Sequence, residues 1–280
     1  MTPDRPRLDV ERQAQAGAYA RLQRRVGFAQ TGLGLLYLMA WVVSGVAGRL
    51  TAVAGGSWAA ELALVAVCLG LPWLLISLPI DYESGFRLPH RFGQSTQSLR
   101  DWLLDLVKGL ILAACLGLPL LLGLYAVMRT WPQAWWGIAT VGFLAFSVLL
   151  SMVAPILLMP IFNRFVPLSA EHADLADRLM RLSAAARRRV RGVYTFDLSR
   201  RTRAANAALV GWGRTRRIVL GDTLISEFTP DEIETVLAHE LGHHVHHDIP
   251  VGVLAGAALM LAELWAANAV LGWAVNAGRL

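Results

Sequence analysis

The chain has 280 residues, a formal net charge of +6, 55% hydrophobic residues and only 16% charged ones. Soluble domains run ~45–50% apolar and ~25% charged, so this composition, with a mean hydropathy of +0.48, excludes a disordered chain, a collagen and an ordinary cytosolic enzyme. Cys68 and Cys115 both lie in long apolar runs, which excludes a disulfide framework and a Cys-based zinc site.

Five stretches are long and apolar enough to cross ~30 Å of hydrocarbon as helices. They run over Phe28–Gly48, Ala59–Ile80, Leu103–Met128, Trp136–Pro160 and Ile249–Val275. A polar, arginine-rich tail over 1–27 precedes the first, and no small-residue cleavage site separates it from the second. The first is therefore expected to be a span and not a cleavable signal. Pro72, Pro119 and Pro155 fall inside spans, where a buried helix tolerates a kink. Trp131, Trp135 and Trp136 cluster where the third and fourth spans meet water, as an aromatic belt does.

The basic residues are unevenly placed. Of the 26 Lys and Arg, six lie in the N-terminal tail, three in the Asp81–Trp102 loop and thirteen over 161–248. The loops on the other side hold one each, Arg49 and Arg129. By the positive-inside rule the tail, the long loop and the polar segment share the cytoplasmic side. The high isoelectric point is thus a topology signal, and no nucleic-acid partner is expected, since the arginines are not interleaved with exposed aromatics.

Residues 161–248 are the one stretch able to form a water-facing domain. Glu171–Arg191 reads as an amphipathic helix with Leu175, Leu179 and Leu182 on one face. Val193–Phe196 and Ala204–Val210 follow as short strands. Gly211-Trp212-Gly213 is a turn, and Arg217–Leu220 returns as the second arm of a hairpin. Thr229, Pro230 and Glu232 then supply an N-cap, a first helical position and a capping box for a helix expected to reach at least His247.

That helix contains His239-Glu240-Leu241-Gly242-His243, an H-E-x-x-H. Four residues turn a helix by about 400°, so the two histidines share a face one turn apart, where both imidazoles can reach one metal at ~2.0–2.1 Å. Glu240 sits about 100° further round, placed to deprotonate an attacking water without ligating the metal. The competing reading is a polar, His-rich helix end at a membrane surface, since His244, His246 and His247 crowd the same stretch. His247, one turn past His243, is either a group behind the metal ligands or a solvated helix end. Asp248 either orients an imidazole by accepting its other N–H or simply closes the helix ahead of Pro250.

At these residues the chain resembles the membrane-integrated CAAX prenyl proteases of type I, relatives of the bacterial HtpX heat-shock proteases. Gly85–Gly93, Arg203-Ala204-Ala205-Asn206-Ala207, Arg217–Leu224 and Thr229–Asp248 carry the likeness, with four spans ahead of the metal helix. The resemblance implies zinc held by His239 and His243, with Glu240 as catalytic base. It places Asn206 on an edge strand that holds the substrate backbone; the residue alone reads equally as part of a hairpin. In that family the third ligand is a glutamate from a downstream E-x-x-x-D-type motif, which does not occur up to Leu280, so a fragment or a truncated, defective site is expected. Glu263, the one carboxylate after Asp248, lies 20 residues past His243 and is either a ligand or a polar group inside the last span.

The expected architecture is mainly α: a polytopic helical membrane protein with a small α+β cytoplasmic segment carrying the HExxH helix. Its parts are a tail over 1–27, four spans over 28–160, the zinc-peptidase segment over 161–248, and a fifth span with the C-terminus over 249–280. The expected function is a zinc (Zn2+) endopeptidase of a bacterial inner membrane, multi-pass in the lipid bilayer, acting on peptide or membrane-protein substrates. The alternatives are an HtpX-like quality-control protease and a truncated, non-catalytic zinc- or peptide-binding membrane protein. A small transporter is the weakest reading, because the histidines cluster at a span edge and no repeat is evident.

Overall fold

The computed structural model describes residues 10–54, 56–211, 213–246 and 248–277. The chain divides at 106/107, inside one long helix, into two compact units.

In the first unit, α1 (Val10–Ser44) stops at Gly45, whose φ of +61° is left-handed backbone, and α2 (Val46–Ala54) follows. The first apolar run therefore breaks at Gly45 and does not continue to Gly48. The second half of the polar tail is helical, because α1 starts at Val10. Next, α3 (Trp58–Tyr82) is capped by Ser57, whose side chain accepts the Ala60 N–H. It widens into a π turn at Glu83–Arg87 and ends in α4 (Leu88–Arg91). One polar contact ties α1 to α3: Gln30 Nε2 donates to Asp81 Oδ1 at 2.8 Å, and within α3 the buried Ser77 Oγ donates to the other carboxylate oxygen, Asp81 Oδ2, at 2.8 Å. Helix α5 (Leu99–Thr130) carries the unit boundary.

The second unit continues with α6 (Trp135–Val153), a π turn at Ala154–Leu158 around Pro155, and α7 (Met159–Phe162). Pro155 has no N–H to give a regular ladder, which accounts for the widened turn. Then come β1 (Phe165–Pro167), α8 (Ala173–Ala185), β2 (Val193–Phe196), β3 (Ala207–Val210), β4 (Arg217–Gly221), α9 (Asp222–Glu227), α10 (Pro230–Val245) and α11 (Asp248–Asn276). Among the described residues five helices are long and apolar enough to cross a membrane: Gln13–Ser44, Trp58–Arg91, Leu99–Thr130, Trp135–Phe162 and Pro250–Asn276. The chain is a mainly helical, multi-pass membrane protein with one small α+β segment.

The sheet runs β1-β2-β4-β3. The expected hairpin is present, β3 lying antiparallel to β4 with Ala207 opposite Leu220. Its first strand starts at Ala207 and not at Ala204. Thr202 Oγ1 accepts the Ala204 N–H at 3.1 Å, and Ala204 O accepts from Thr223 Oγ1 at 2.9 Å, which holds 204–206 in a loop. Gly211 leaves β3 with φ +90°, and a Cβ there would meet Thr215 O at 2.8 Å, so only glycine fits. Strand β1, which the sequence reading missed, pairs antiparallel with β2, Phe165 opposite Phe196.

The amphipathic helix also ends earlier than Arg191. Arg187 takes φ +56° and its N–H bonds to Ala184 O, while the Arg188 N–H bonds to Ser183 O. That is a Schellman stop made without glycine. Leu175 and Leu179 of α8, Ile218 and Leu220 of β4, and Ile233 and Leu237 of α10 form the heart of the core, so both helices pack on the sheet.

Candidate metal centre

The geometry of the site follows from how α10 is anchored. Thr229 Oγ1 accepts the Glu232 N–H at 3.4 Å, and the Thr229 N–H donates to Glu232 Oε2 at 2.8 Å, closing the anticipated capping box. Arg178 of α8 clamps the first turns, meeting Asp231 at 2.6 Å and Glu234 at 2.5 Å. At the other end Arg188 Nη2 donates to His244 O at 2.6 Å, placing a cation where the helix dipole is negative. Ile233, Leu237 and Leu241 form the buried stripe. Residues two positions on are turned about 200°, so His239 and His243 point away from the core. Both are exposed, with ring centroids 4.8 Å apart. Glu240, between them in sequence, is half-buried.

Helix α10 ends at Val245, short of the expected His247, which lies outside the described residues. Asp248 does not close this helix; it opens α11 and its Oδ2 lies 2.7 Å from His243 Nδ1. With that nitrogen donating to the carboxylate, Nε2 is left as the donor to a metal. His244, half-buried, is held below its ordinary pKa by burial first and then by the charges of Arg216 and Arg188.

The other candidates are spread out. Asn206 is exposed and immediately precedes β3, and its carbonyl accepts the Gly221 N–H at 2.8 Å. β3 is the last strand of the sheet, so its outer edge has no partner strand among the described residues; α10 is in contact with β3. Glu263 lies mid-way along α11, exposed, and among the described residues it forms no metal-holding group with His239 and His243. Among the described residues no three His, Cys, Asp or Glu side chains converge as a metal-holding group. A catalytic zinc site takes three protein donors; here two imidazoles suit one.

Residues 169–279 match the family model described as "Peptidase family M48", and residues 5–164 match one described as "CAAX prenyl protease N-terminal, five membrane helices". The chain belongs to the M48 family of membrane metallopeptidases. Four of its five long apolar helices fall within the first match and α11 within the second. The M48 chain is similar to CAAX prenyl protease 1 of Saccharomyces cerevisiae, 33% identical over 170 residues, covering 60% of this chain and 37% of that protein. It is also similar to the uncharacterized metalloprotease YhfN of Bacillus subtilis, 29% identical over 185 residues, covering 66% and 43%. It thus spans about two fifths of the length of these relatives. The crystal structure of S. mikatae Ste24p shares the fold, with a TM-score of 0.74 at 24% identity over 89% of this chain and 60% of that one.

One feature of this M48 chain escaped the sequence reading. A cavity of about 380 Å³ opens beside His243, walled by Leu209, Val210 and Gly211 on one side and by Arg188 and Arg216 on another. The two arginines belong to separate basic runs whose spacing carries no motif, so only the fold brings them together.

Proposed function

We propose that this chain carries the catalytic helix of a zinc-dependent endopeptidase that hydrolyses peptide bonds of membrane-associated proteins or peptides. The reading rests on one observation: the His239–His243 pair on the outward face of a capped helix that packs against an edge strand. Zinc, when bound, polarises the scissile carbonyl and activates the attacking water. His239 and His243 would hold it, and the described residues supply these two donors. The Asp248 carboxylate keeps the His243 ring turned so that Nε2 is the free donor.

Glu240, one helical step from His239 and half-buried, is positioned to take the water proton and return it to the leaving amine. An extended peptide adds to the free edge of β3 through main-chain hydrogen bonds, and Asn206 stands at the head of that edge to hold its backbone. The concentration of arginines over 161–248 supports a cytoplasmic site on a bacterial inner membrane, and membrane-protein turnover or processing as its task.

Purified chain in detergent or nanodiscs, supplied with zinc, is expected to cleave casein or a membrane-derived peptide. Glu240→Gln should lower the rate by roughly 10²–10⁴-fold, the worth of a general base. Cleavage that persists unchanged in Glu240→Gln overturns the assignment. The two-donor set favours a second reading, a peptide-binding membrane protein without turnover. Tight peptide binding with no cleavage by zinc-loaded wild type would select it.

A further inference from the structure

The two ends of the first unit carry different charge. Its helices are held in a definite register: Tyr37 Oη donates to Leu69 O at 2.7 Å, Gln30 meets Asp81, and the Tyr19 and Phe92 rings lie 5.3 Å apart. α1 therefore runs antiparallel to the α3–α4 rod, with residues 19–25 level with residues 82–92. Trp102 packs edge-on to Tyr82 at 5.7 Å and lies 6.0 Å from Phe86, which brings the start of α5 to the same end.

Six exposed arginines stand there: Arg21, Arg24 and Arg25 of α1, Arg87 and Arg91 of the rod, and Arg100 of α5. Of these, Arg87 alone forms an ion pair among the described residues, with Glu83 at 3.3 Å. Asp101, next to Arg100 in sequence, accepts from Ser98 Oγ at 2.9 Å. The opposite end, between Ser44 and Glu61, holds one arginine and one glutamate, and there Arg49 Nη2 donates to Ser44 O at 2.7 Å.

The α1 arginines also point one way. Tyr19, Gln30 and Tyr37 mark the face of α1 turned to the rod. At 100° per residue, Arg21, Arg24 and Arg25 fall about 120–220° from Gln30, on the outer face. Phe28, 77% exposed, shares that face one turn further into the apolar run. From Val26 to Ser44 the helix rises about 28 Å, close to the ~30 Å of a hydrocarbon core. The three arginines thus occupy the first turns outside it, at the depth of lipid headgroups. Tyr82 and Trp102 lie at the same level, where amphipathic rings gather.

We propose that this arginine collar binds the headgroups of anionic phospholipids against the outer face of α1. A guanidinium fork matches a phosphate, and a basic group beside an anionic leaflet is attracted to it. Phe28 lies where the acyl chain below a bound phosphate would run, a contact for which an acidic protein has no use. The positive-inside bias alone is met by charge anywhere in a tail or loop; here register and periodicity collect it at one level and turn it outward.

The full chain in phosphatidylcholine proteoliposomes, probed with trace spin-labelled phosphatidylglycerol or phosphatidylcholine, tests this through the motionally restricted fraction of each label. Phosphatidylglycerol is expected to associate at least about fivefold more strongly, the worth of one basic group at such a surface. The preference should shrink in high salt. Arg21→Gln, Arg24→Gln and Arg25→Gln together should bring the two lipids within about twofold. The same three positions changed to Lys should keep at least half of the preference, which separates lost charge from a lost fold. Gln at Arg181, Arg189 and Arg191, exposed positions of the second unit, removes as much charge and should leave the preference in place.

Equal association of the two lipids, or a preference that survives the α1 Gln variant, overturns the proposal. So does a preference lost equally in the Lys variant or in the second-unit variant. Displacement of the labelled phosphatidylglycerol by soluble polyglutamate would also overturn it, giving the collar to an acidic protein.

Discussion

Helices α10 and α11 are separated by only two residues, yet they solve different problems. α10 lays Ile233, Leu237 and Leu241 on the sheet and turns its histidines outward. α11 is apolar all round, and side chains such as Leu254 (69% exposed) and Val270 (62% exposed) face away from the protein, where lipid would meet them. A helix packed on protein has each neighbour specified, whereas one packed in lipid needs only to be apolar. α11 has two marked exceptions, the exposed Glu263 and Asn268, whose Oδ1 accepts from the buried Trp135 indole N–H at 2.7 Å and docks the helix on α6.

The sharpest way to break this comparison is to truncate one leucine on each helix. Leu237 is fully buried, so Leu237→Ala is expected to cost ~2–5 kcal/mol through lost burial and a residual cavity. Leu254→Ala should stay within ~0.5 kcal/mol, as for exposed positions generally. Denaturant unfolding in a fixed detergent checks both, and equal losses would show that α11 is packed against something as specific as the sheet.

The junction between the helices gives a smaller, more local effect. Asp248 heads α11 but acts on α10, through His243 Nδ1. Asp248→Ala should weaken zinc binding by roughly 10–100-fold, the usual worth of a carboxylate behind a metal-binding imidazole. Competition against a chromophoric chelator measures this, and Asp248→Asn, still able to accept the bond, should fall between. Unchanged affinity in Asp248→Ala would mean that the 2.7 Å contact does not orient the ring.

How much of this was legible beforehand follows the same division. The five spans could be read because lipid asks only for length and apolar content, and all five appear as long helices. The start of α10 was legible because Thr229, Pro230 and Glu232 act within one turn, and the His239–His243 pair because four residues of helix fix their common face. What escaped depends on contacts between distant residues or on backbone states with no composition signal. β1 is three residues long and exists only because β2 pairs with it. The stop after α8 uses Arg187 where glycine is usual. Asp248 was legible as a residue, but its partner depended on where α10 ended.

The smallest expected effect concerns the capping box, and it tests whether α10 is set by its own first turn as well as by the sheet. The backbone N–H of Thr229, and then its hydroxyl, hold the Glu232 carboxyl below the usual glutamate range. A carboxyl with a depressed folded-state pKa stabilises the fold above its unfolded pKa of ~4.3. That contribution disappears as pH falls through the lower folded value. Unfolding midpoints followed from pH 7 downward should therefore drop in acid for wild type, and drop less steeply for Glu232→Gln, which has no charge to lose. Because the carboxylate faces solvent, the difference between the two slopes should be slight and should shrink in high salt. Parallel slopes would mean that Ile233, Leu237 and Leu241, pressed on the sheet, hold the helix start without help from its cap.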